Sequence, residues 1–318
     1  MIVQKSGHVP VLLNEVMEAL KPEADKTYID ATFGDGGYSE KILTMSNCKV
    51  IAIDQDPQVL VKADHLKSKY GKRFQFFKKK FSELEDLLTS LSITKVDGFV
   101  FDIGVSSMQI DNEKRGFSFK KNGLLDMRMS QDGMTAEELI NTVEQEELAD
   151  IIYQYGDEIK SRNIAKKIVN YRSDKKIIGT IELADIVSSC FPKKYYKKHP
   201  ATKTFQALRI FLNNEIQELI SGLNTASKFL VDGGKLCMVT FHSIEDRIVK
   251  NFFKITSLKN YIKEGNEKNS LFISNCKAIK PSNEEVESNR RARSAKLRFG
   301  LRNSNKHIFI STAELGFY

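Results

Sequence analysis

No apolar run in the sequence approaches the roughly 18 residues that a membrane-spanning helix needs, so neither a helical membrane protein nor a membrane partner is expected. The first residues, MIVQKSGHVPVLLNEV, lack the long apolar core and small-residue cleavage site of a signal peptide. A cytoplasmic location is the expectation. Cysteine is scarce: Cys48, Cys190, Cys237 and Cys276 lie far apart, with no CxxC pair among them. That spacing argues against a zinc cluster, reduced thiols are the default, and no metal is expected. Cys48 and Cys237 lie in or beside apolar runs and are expected in the core. Repeats and low-complexity tracts are absent too.

What is present is the composition of an ordinary globular protein: 318 residues, 41% hydrophobic and 28% charged. One large domain or two modest ones fit that length. The formal charge is +8, which favours a polyanionic partner without proving one.

Strand and helix signals alternate through the first third. Tyr28–Thr32, Lys49–Asp54, Arg73–Phe77 and Val96–Ile103 read as strands. Between them lie helical patterns: Gly37–Met45, DPQVLVKADHLKSKY, and FSELEDLLTSL with Ser82 as N-cap and Glu85 closing a capping box. Such alternation with short connections gives an α/β fold, a parallel sheet with helices on both faces. Then the rhythm stops. The next strand is KLCMVTF, Lys235–Phe241, about 130 residues on. A single crossover needs far fewer. One long helix, Lys203 to Val231, suits the crossover, and the rest is too much for a loop. The expected domains are therefore a discontinuous sheet domain, 1–110 and 203–318, and an inserted helical domain, 111–202. Beyond Phe241 come a helix, SIEDRIVKNFFKI, a loop-rich stretch from Ser257 to Asn289, and two short strand candidates, AKLRFGLR and KHIFISTAEL.

The stretch YIDATFGDGGYSEKIL runs from a strand through Gly34, Gly36 and Gly37 into a helix. Glycine there lets backbone approach a ligand, and the helix N-terminus points N–H groups at it. Asp54 ends the second strand and suits the hydroxyls of a ribose. Asp102 ends the fourth strand on the same crevice. The turn contains Asp35 and no lysine or arginine, so a pyrophosphate is disfavoured. S-adenosylmethionine carries an adenosine, an ammonium and a sulfonium, and suits an acidic cleft.

Several longer strings are distinctive: HVPVLLNEVMEAL, IDATFGDGGYS, AIDQDP, FDIGVSSMQID, RGFSF, LDMRM, HPATKTFQALRIFLNNE, FHSIEDRIVK and RARSAKLR. In order, over nearly the whole chain, they resemble the ribosomal small-subunit RNA methyltransferase H family, also called MraW. The resemblance implies a class I S-adenosylmethionine-dependent methyltransferase, a Rossmann-like and mostly parallel sheet with an inserted helical domain. It implies methylation of the exocyclic N4 of a decoding-centre cytidine in 16S rRNA, with that RNA or the small ribosomal subunit as partner, and it leaves a homodimer open. By motif, the cofactor contacts fall on Gly36, Gly37, Tyr38, Asp54, Phe81, Asp102 and Gln109. Asp35, Tyr38 and Met108 depart from the family's arginine, histidine and proline. Relatives thus manage with a basic residue at Asp35, whose side chain is expected to point away from the cofactor. The Tyr38 contact is expected through its backbone.

Cytosine N4 is a poor nucleophile, so alignment and a fixed acceptor near N4 are the protein's contribution. Asp102, or a carbonyl within Ile103–Ser106, is the candidate acceptor, with cofactor binding as the rival role of Asp102. The Asn/Asp-Pro-Pro-aromatic tetrapeptide of many amino-methyltransferases is missing. Phe117 and Phe119 are candidates to hold an unstacked cytosine, against packing between the domains. Two basic stretches, PKKYYKKHPATK and RRARSAKLRFGLR, are candidate RNA contacts against the alternative of a solvated face. His242, Ser243 and Asp246 match no hydrolase template, and Ser243 reads as an N-cap with Asp246 at N3. The rival functions are a nicotinamide-dependent oxidoreductase, a non-catalytic RNA-binding factor, and a methyltransferase for another RNA or for DNA.

Overall fold

The structure is a computed structural model that describes residues 10–194, 196–257, 270–274 and 277–317. Strands β1 (Thr27–Asp30), β2 (Lys49–Asp54), β3 (Phe74–Lys78), β4 (Val96–Asp102) and β5 (Leu230–Thr240) pair in parallel. Strand β6 (Phe272–Ile273) pairs antiparallel with β7 (Lys296–Arg302), which runs antiparallel to β5. The order is β3-β2-β1-β4-β5-β7-β6. This is the class I methyltransferase arrangement. Strands covered on both faces read as continuous apolar runs, and Val50, Ile51, Ala52 and Ile53 of β2 are all buried.

Contacts divide the chain into Met1–Gly104 with Ile216–Tyr318, and Val105–Glu215. The first unit carries the sheet with helices α1 (Leu13–Leu20), α2 (Gly37–Met45), α3 (Leu60–Tyr70) and α4 (Leu84–Ser90). The second is helical: α5 (Ser107–Asp111), α6 (Ala136–Thr142), α7 (Gln145–Gly156), α8 (Ser161–Asp174), α9 (Thr180–Ser188) and α10 (Thr202–Leu212). Its core includes Ile140, Leu148, Ile152, Ile164, Leu183 and Leu208. Helices α11 (Glu215–Phe229) and α12 (Ser243–Ile255) stand before and after β5 in the chain, and a short helix, Asn283–Ser288, precedes β7.

Three expectations need correcting. The long helix from Lys203 to Val231 is two helices. Asn213 caps the end of α10 through non-local partners: its Oδ1 accepts from Met129 N at 2.7 Å and its Nδ2 donates to Met127 O at 2.8 Å. Asn214 then turns left-handed at φ 50°, a conformation asparagine tolerates. Helix α10 accordingly belongs with the helical unit, which extends beyond 111–202 on both sides. Secondly, Ser82 does not cap the helix before β4. Phe81–Glu83 is a 3-10 turn capped at Lys80, and Ser82 donates from N and Oγ to Glu218 at 2.8 and 2.9 Å. Thirdly, AKLRFGLR is β7, but KHIFISTAEL is no strand. Asn224 takes both backbone groups of Ile310, so that segment bonds to a helix side chain instead of a ladder. The other edge strand, β6, comes from the stretch expected to be loop.

Cys48 and Cys237 are buried and free, as expected, and Cys276 lies outside the described residues. No helix among the described residues is long and apolar enough to cross a membrane.

Candidate cofactor site at the carboxyl edge of the sheet

The turn after β1 is built by backbone bonds. Phe33 N donates to Ile53 O at 3.0 Å, Gly36 N to Phe33 O at 2.7 Å, and Gly34 N to Asp54 Oδ2 at 2.8 Å. Gly36 has φ 81°, and a Cβ there would lie 2.8 Å from the Phe33 ring. A Cβ on Gly37 would lie 2.2 Å from Pro10 Cγ. Packing alone therefore demands both glycines, and ligand approach is not needed to explain them. The ligand-facing groups of this turn are amides. Gly37 and Tyr38 open α2, where N–H groups have no intrahelical acceptor. Ser39 N is taken by Asp30 Oδ2 at 3.1 Å, and Ser39 Oγ donates to the same oxygen at 2.6 Å. The Tyr38 ring is buried and its hydroxyl donates to Val11 O. Burial, with Asp102 and Asp30 nearby, lifts that phenol well above its ordinary range.

Asp54 ends β2. Its Oδ2 takes Gly34 N, and its Oδ1 takes Asp56 N at 2.9 Å. Each oxygen keeps a lone pair for a further donor. Burial outweighs these bonds and pushes the carboxyl up to about 6. Asp102 ends β4, and its N donates to Thr32 Oγ1 at 2.6 Å. Its Oδ1 is buried and accepts no hydrogen bond among the described residues. Burial, then the charges of Asp30 and Glu245, push this carboxyl up to about 8. Phe81 starts the turn after β3, and its ring meets Phe101 edge-on at 5.2 Å.

Gln109 lies in the helical unit. Its Oε1 accepts from Ser106 N at 2.9 Å and its N donates to Ser106 Oγ at 3.2 Å, a capping box on α5. The structure gives it that local role, and its cofactor contact stays an expectation.

Sequence reading missed Asp30 and Glu245. Asp30 is fully buried, and burial lifts its carboxyl to about 6 despite bonds from Ser39 and Thr32. Glu245 is also buried, and its Oε2 accepts from Phe241 N at 2.9 Å and His242 N at 3.3 Å. Helix α12 is thus capped by His242 with Glu245 at N3, one residue earlier than expected. Asp246 turns instead to β7, accepting from Lys296 Nζ at 2.6 Å and Arg298 Nε at 2.8 Å. Asp30 lies in IDATFGDGGYS and Glu245 in FHSIEDRIVK, but only the fold shows that they bear on Asp102.

Phe117 and Phe119 pack against the core of the helical unit. Phe119 meets Phe205 and His199, each at 4.7 Å between ring centroids, and the Arg115 guanidinium lies 5.6 Å from the Phe117 ring. The basic stretch RRARSAKLRFGLR is split. Lys296 and Arg298 are tied to Asp246, and Arg302 is buried, donating to Ser227 O at 2.7 Å and Asn305 O at 2.7 Å. Arg290 and Arg293 stay exposed. In PKKYYKKHPATK the four lysines Lys193, Lys194, Lys197 and Lys198 are exposed, and Tyr195 lies outside the described residues.

The edge therefore offers an acid with free lone pairs, an acid oxygen lacking a donor, and helix-terminal amides with no intrahelical acceptor; among the described residues no basic side chain is bonded to Asp30, Asp54 or Asp102. Such a set fits a cationic ligand bearing a ribose and not a pyrophosphate. Ribosomal RNA small subunit methyltransferase H of Rickettsia africae is 50% identical over 300 residues, covering 92% of this chain and 97% of its own length. The protein of that name in Rickettsia bellii is 50% identical over 299 residues, with the same coverage, 92% and 97%. A solved rRNA methylase from Streptococcus thermophilus aligns over 92% of this chain and 94% of its own, at 10% identity and a TM-score of 0.41. The model of the MraW methylase family matches residues 5–302. The chain belongs to the MraW methylase family and is a methyltransferase built on the class I S-adenosylmethionine-dependent fold.

Proposed function

We propose that the chain methylates the exocyclic N4 of a decoding-centre cytidine in 16S rRNA, in the cytoplasm, with S-adenosylmethionine as methyl donor. The observation that carries the cofactor reading is the orphaned Asp102 Oδ1 in a field of buried acids. The base and the RNA rest on family membership and on the relatives' names.

When bound, the cofactor supplies an electrophilic methyl on a cationic sulfur. Asp54 would take the ribose hydroxyls on its remaining lone pairs. The Gly37 and Tyr38 amides at the positive end of α2 would take the cofactor's carboxylate. Phe81, beside Phe101, would flank the adenine. Asp102 would meet the cofactor's ammonium, because the charges of Asp30 and Glu245 make its surroundings a cation site. The same carboxylate, or the Ile103 carbonyl, would accept a hydrogen bond from N4 as positive charge builds there, holding the amine in line with the methyl.

Mass spectrometry of 16S rRNA from cells with and without the gene tests this. Loss of N4-methylcytidine from the small subunit is expected, and an unchanged level sinks the reading.

A further inference from the structure

Some exposed cations of the chain stand beside acids. Lys69 meets Glu40 at 2.6 Å, Arg162 meets Asp150 at 2.7 Å, Lys175 meets Glu182 at 2.9 Å, and Lys176 meets Glu137 at 2.6 Å. The loop 193–198 gathers four cations within six residues: Lys193, Lys194, Lys197 and Lys198 are exposed, and none has an acid within ion-pair distance among the described residues. Uncompensated like charges repel one another, so an ordinary solvated surface intersperses signs.

The loop is also braced. Tyr196 donates its hydroxyl to Pro192 O at 3.0 Å, and its ring meets Phe191 edge-on at 6.0 Å. Lys160 donates to Cys190 O at 2.8 Å with its ammonium 4.7 Å from the Phe191 ring, and Lys194 Nζ lies 5.5 Å from the Tyr196 ring. A row of cation, ring, ring and cation results. Each of these rings already carries a lysine, so stacking with bases is not what the row offers. It sets the Lys194 ammonium against the Tyr196 ring at the foot of the loop, and an ammonium is a compact charge with three donors.

We propose that the loop 193–198 of the helical unit is a sequence-independent clamp for the phosphate backbone of single-stranded RNA. The choice of RNA rests on the proposed substrate, and of a single strand on the need for an unstacked cytosine.

The test replaces Lys193→Gln, Lys194→Gln, Lys197→Gln and Lys198→Gln together in the full chain. Binding is measured without cofactor, against oligouridylate and against a single-stranded 16S rRNA segment, over a salt series. The expected result is a loss of about tenfold or more on both RNAs and a salt slope shallower by about 3. Unaltered cofactor affinity by calorimetry shows that the variant is folded. An unchanged salt slope overturns the clamp, and so does a loss confined to the rRNA segment. Because no methyl transfer is read, the two readings fail separately. A shallower slope in a protein that leaves N4-methylcytidine levels untouched sustains the clamp and removes the proposed function. A wild-type slope in the variant of a protein that does make N4-methylcytidine does the reverse.

Discussion

The backbone amide of Asp102 donates to the hydroxyl oxygen of Thr32 at 2.6 Å. One bond thus ties the end of β4 to the turn after β1, and with it the two sides of the cofactor edge. Thr32→Val keeps the shape and removes the acceptor, leaving a backbone donor without a partner. A loss of about 1–3 kcal/mol is expected in urea unfolding, together with weaker cofactor binding. Wild-type values for both would show that the bond contributes nothing.

The raised carboxyls make stability depend on pH. The ordinary value is 3.8, and the folded Asp102 stands at about 8. Between these values the folded chain holds a proton that the unfolded chain has released. Stability from this group is therefore complete below the unfolded value and lost as pH rises towards 8; Asp30 and Asp54 act in the same sense up to about 6. The urea midpoint of the ligand-free protein should fall across that window. A cationic cofactor favours the ionised form, so its binding should release protons near neutral pH. Calorimetry in buffers of different ionisation enthalpy reads that release, and observed heats that are the same in every buffer would contradict it.

Asp102→Asn retains an acceptor oxygen and removes the charge. Cofactor affinity should fall about 10- to 100-fold, the usual worth of a charged hydrogen bond, and methyl transfer should fall with it. A wild-type rate at saturating cofactor would take Asp102 out of the chemistry and leave it a binding role alone.

What was legible in the sequence is what local patterning encodes. Buried parallel strands are apolar throughout, so β2 and β4 announced themselves, and Asp54 and Asp102 were found because they end those strands. The break between α10 and α11 was not legible. The apolar spacing runs on through Asn213, whose cap partners Met127 and Met129 are distant in sequence. The cap of α12 was misplaced because adjacent residues offer nearly equivalent patterns, and only the Lys296 and Arg298 contacts withdraw Asp246 from the choice. Glu245 stayed hidden for the same reason: its effect on Asp102 exists only once the strands are side by side.

Gly37→Ala puts a methyl into the Pro10 ring, which the missing Cβ would approach to 2.2 Å. Overpacking of this kind costs about 1–3 kcal/mol. Pro10→Ala in the same chain removes the colliding ring atoms and should restore most of the loss, a coupling that a double-mutant cycle measures. No rescue would mean that Gly37 is needed for its backbone, or for the ligand itself.

Asp246→Ala takes the carboxylate away from Arg298, whose side chain is only 7% exposed. Breaking a buried ion pair in this way costs about 3–5 kcal/mol, read in thermal or urea unfolding. Asp246→Leu with Arg298→Met should recover most of it. RNA affinity of the double variant should match wild type, and a fall comparable to that of the lysine-loop variant would return Arg298 to the RNA surface.

The order in which the sheet is written has a consequence for synthesis. Strands β1 to β4 precede the helical unit in the chain, and β5, which completes the pairing of β4, follows it. A nascent chain therefore carries β4 with one edge unpaired while the whole of Val105–Glu215 is made. The helical unit, built from local contacts, can fold in that interval, whereas the sheet must wait for a partner from far along the chain. The cofactor edge forms in step with the sheet: Asp102 and Thr32 come early, but Glu245, which completes the acid field, arrives only after β5. A chain stalled before β5 would carry the whole sequence of the helical unit but only half of the methyl-donor site.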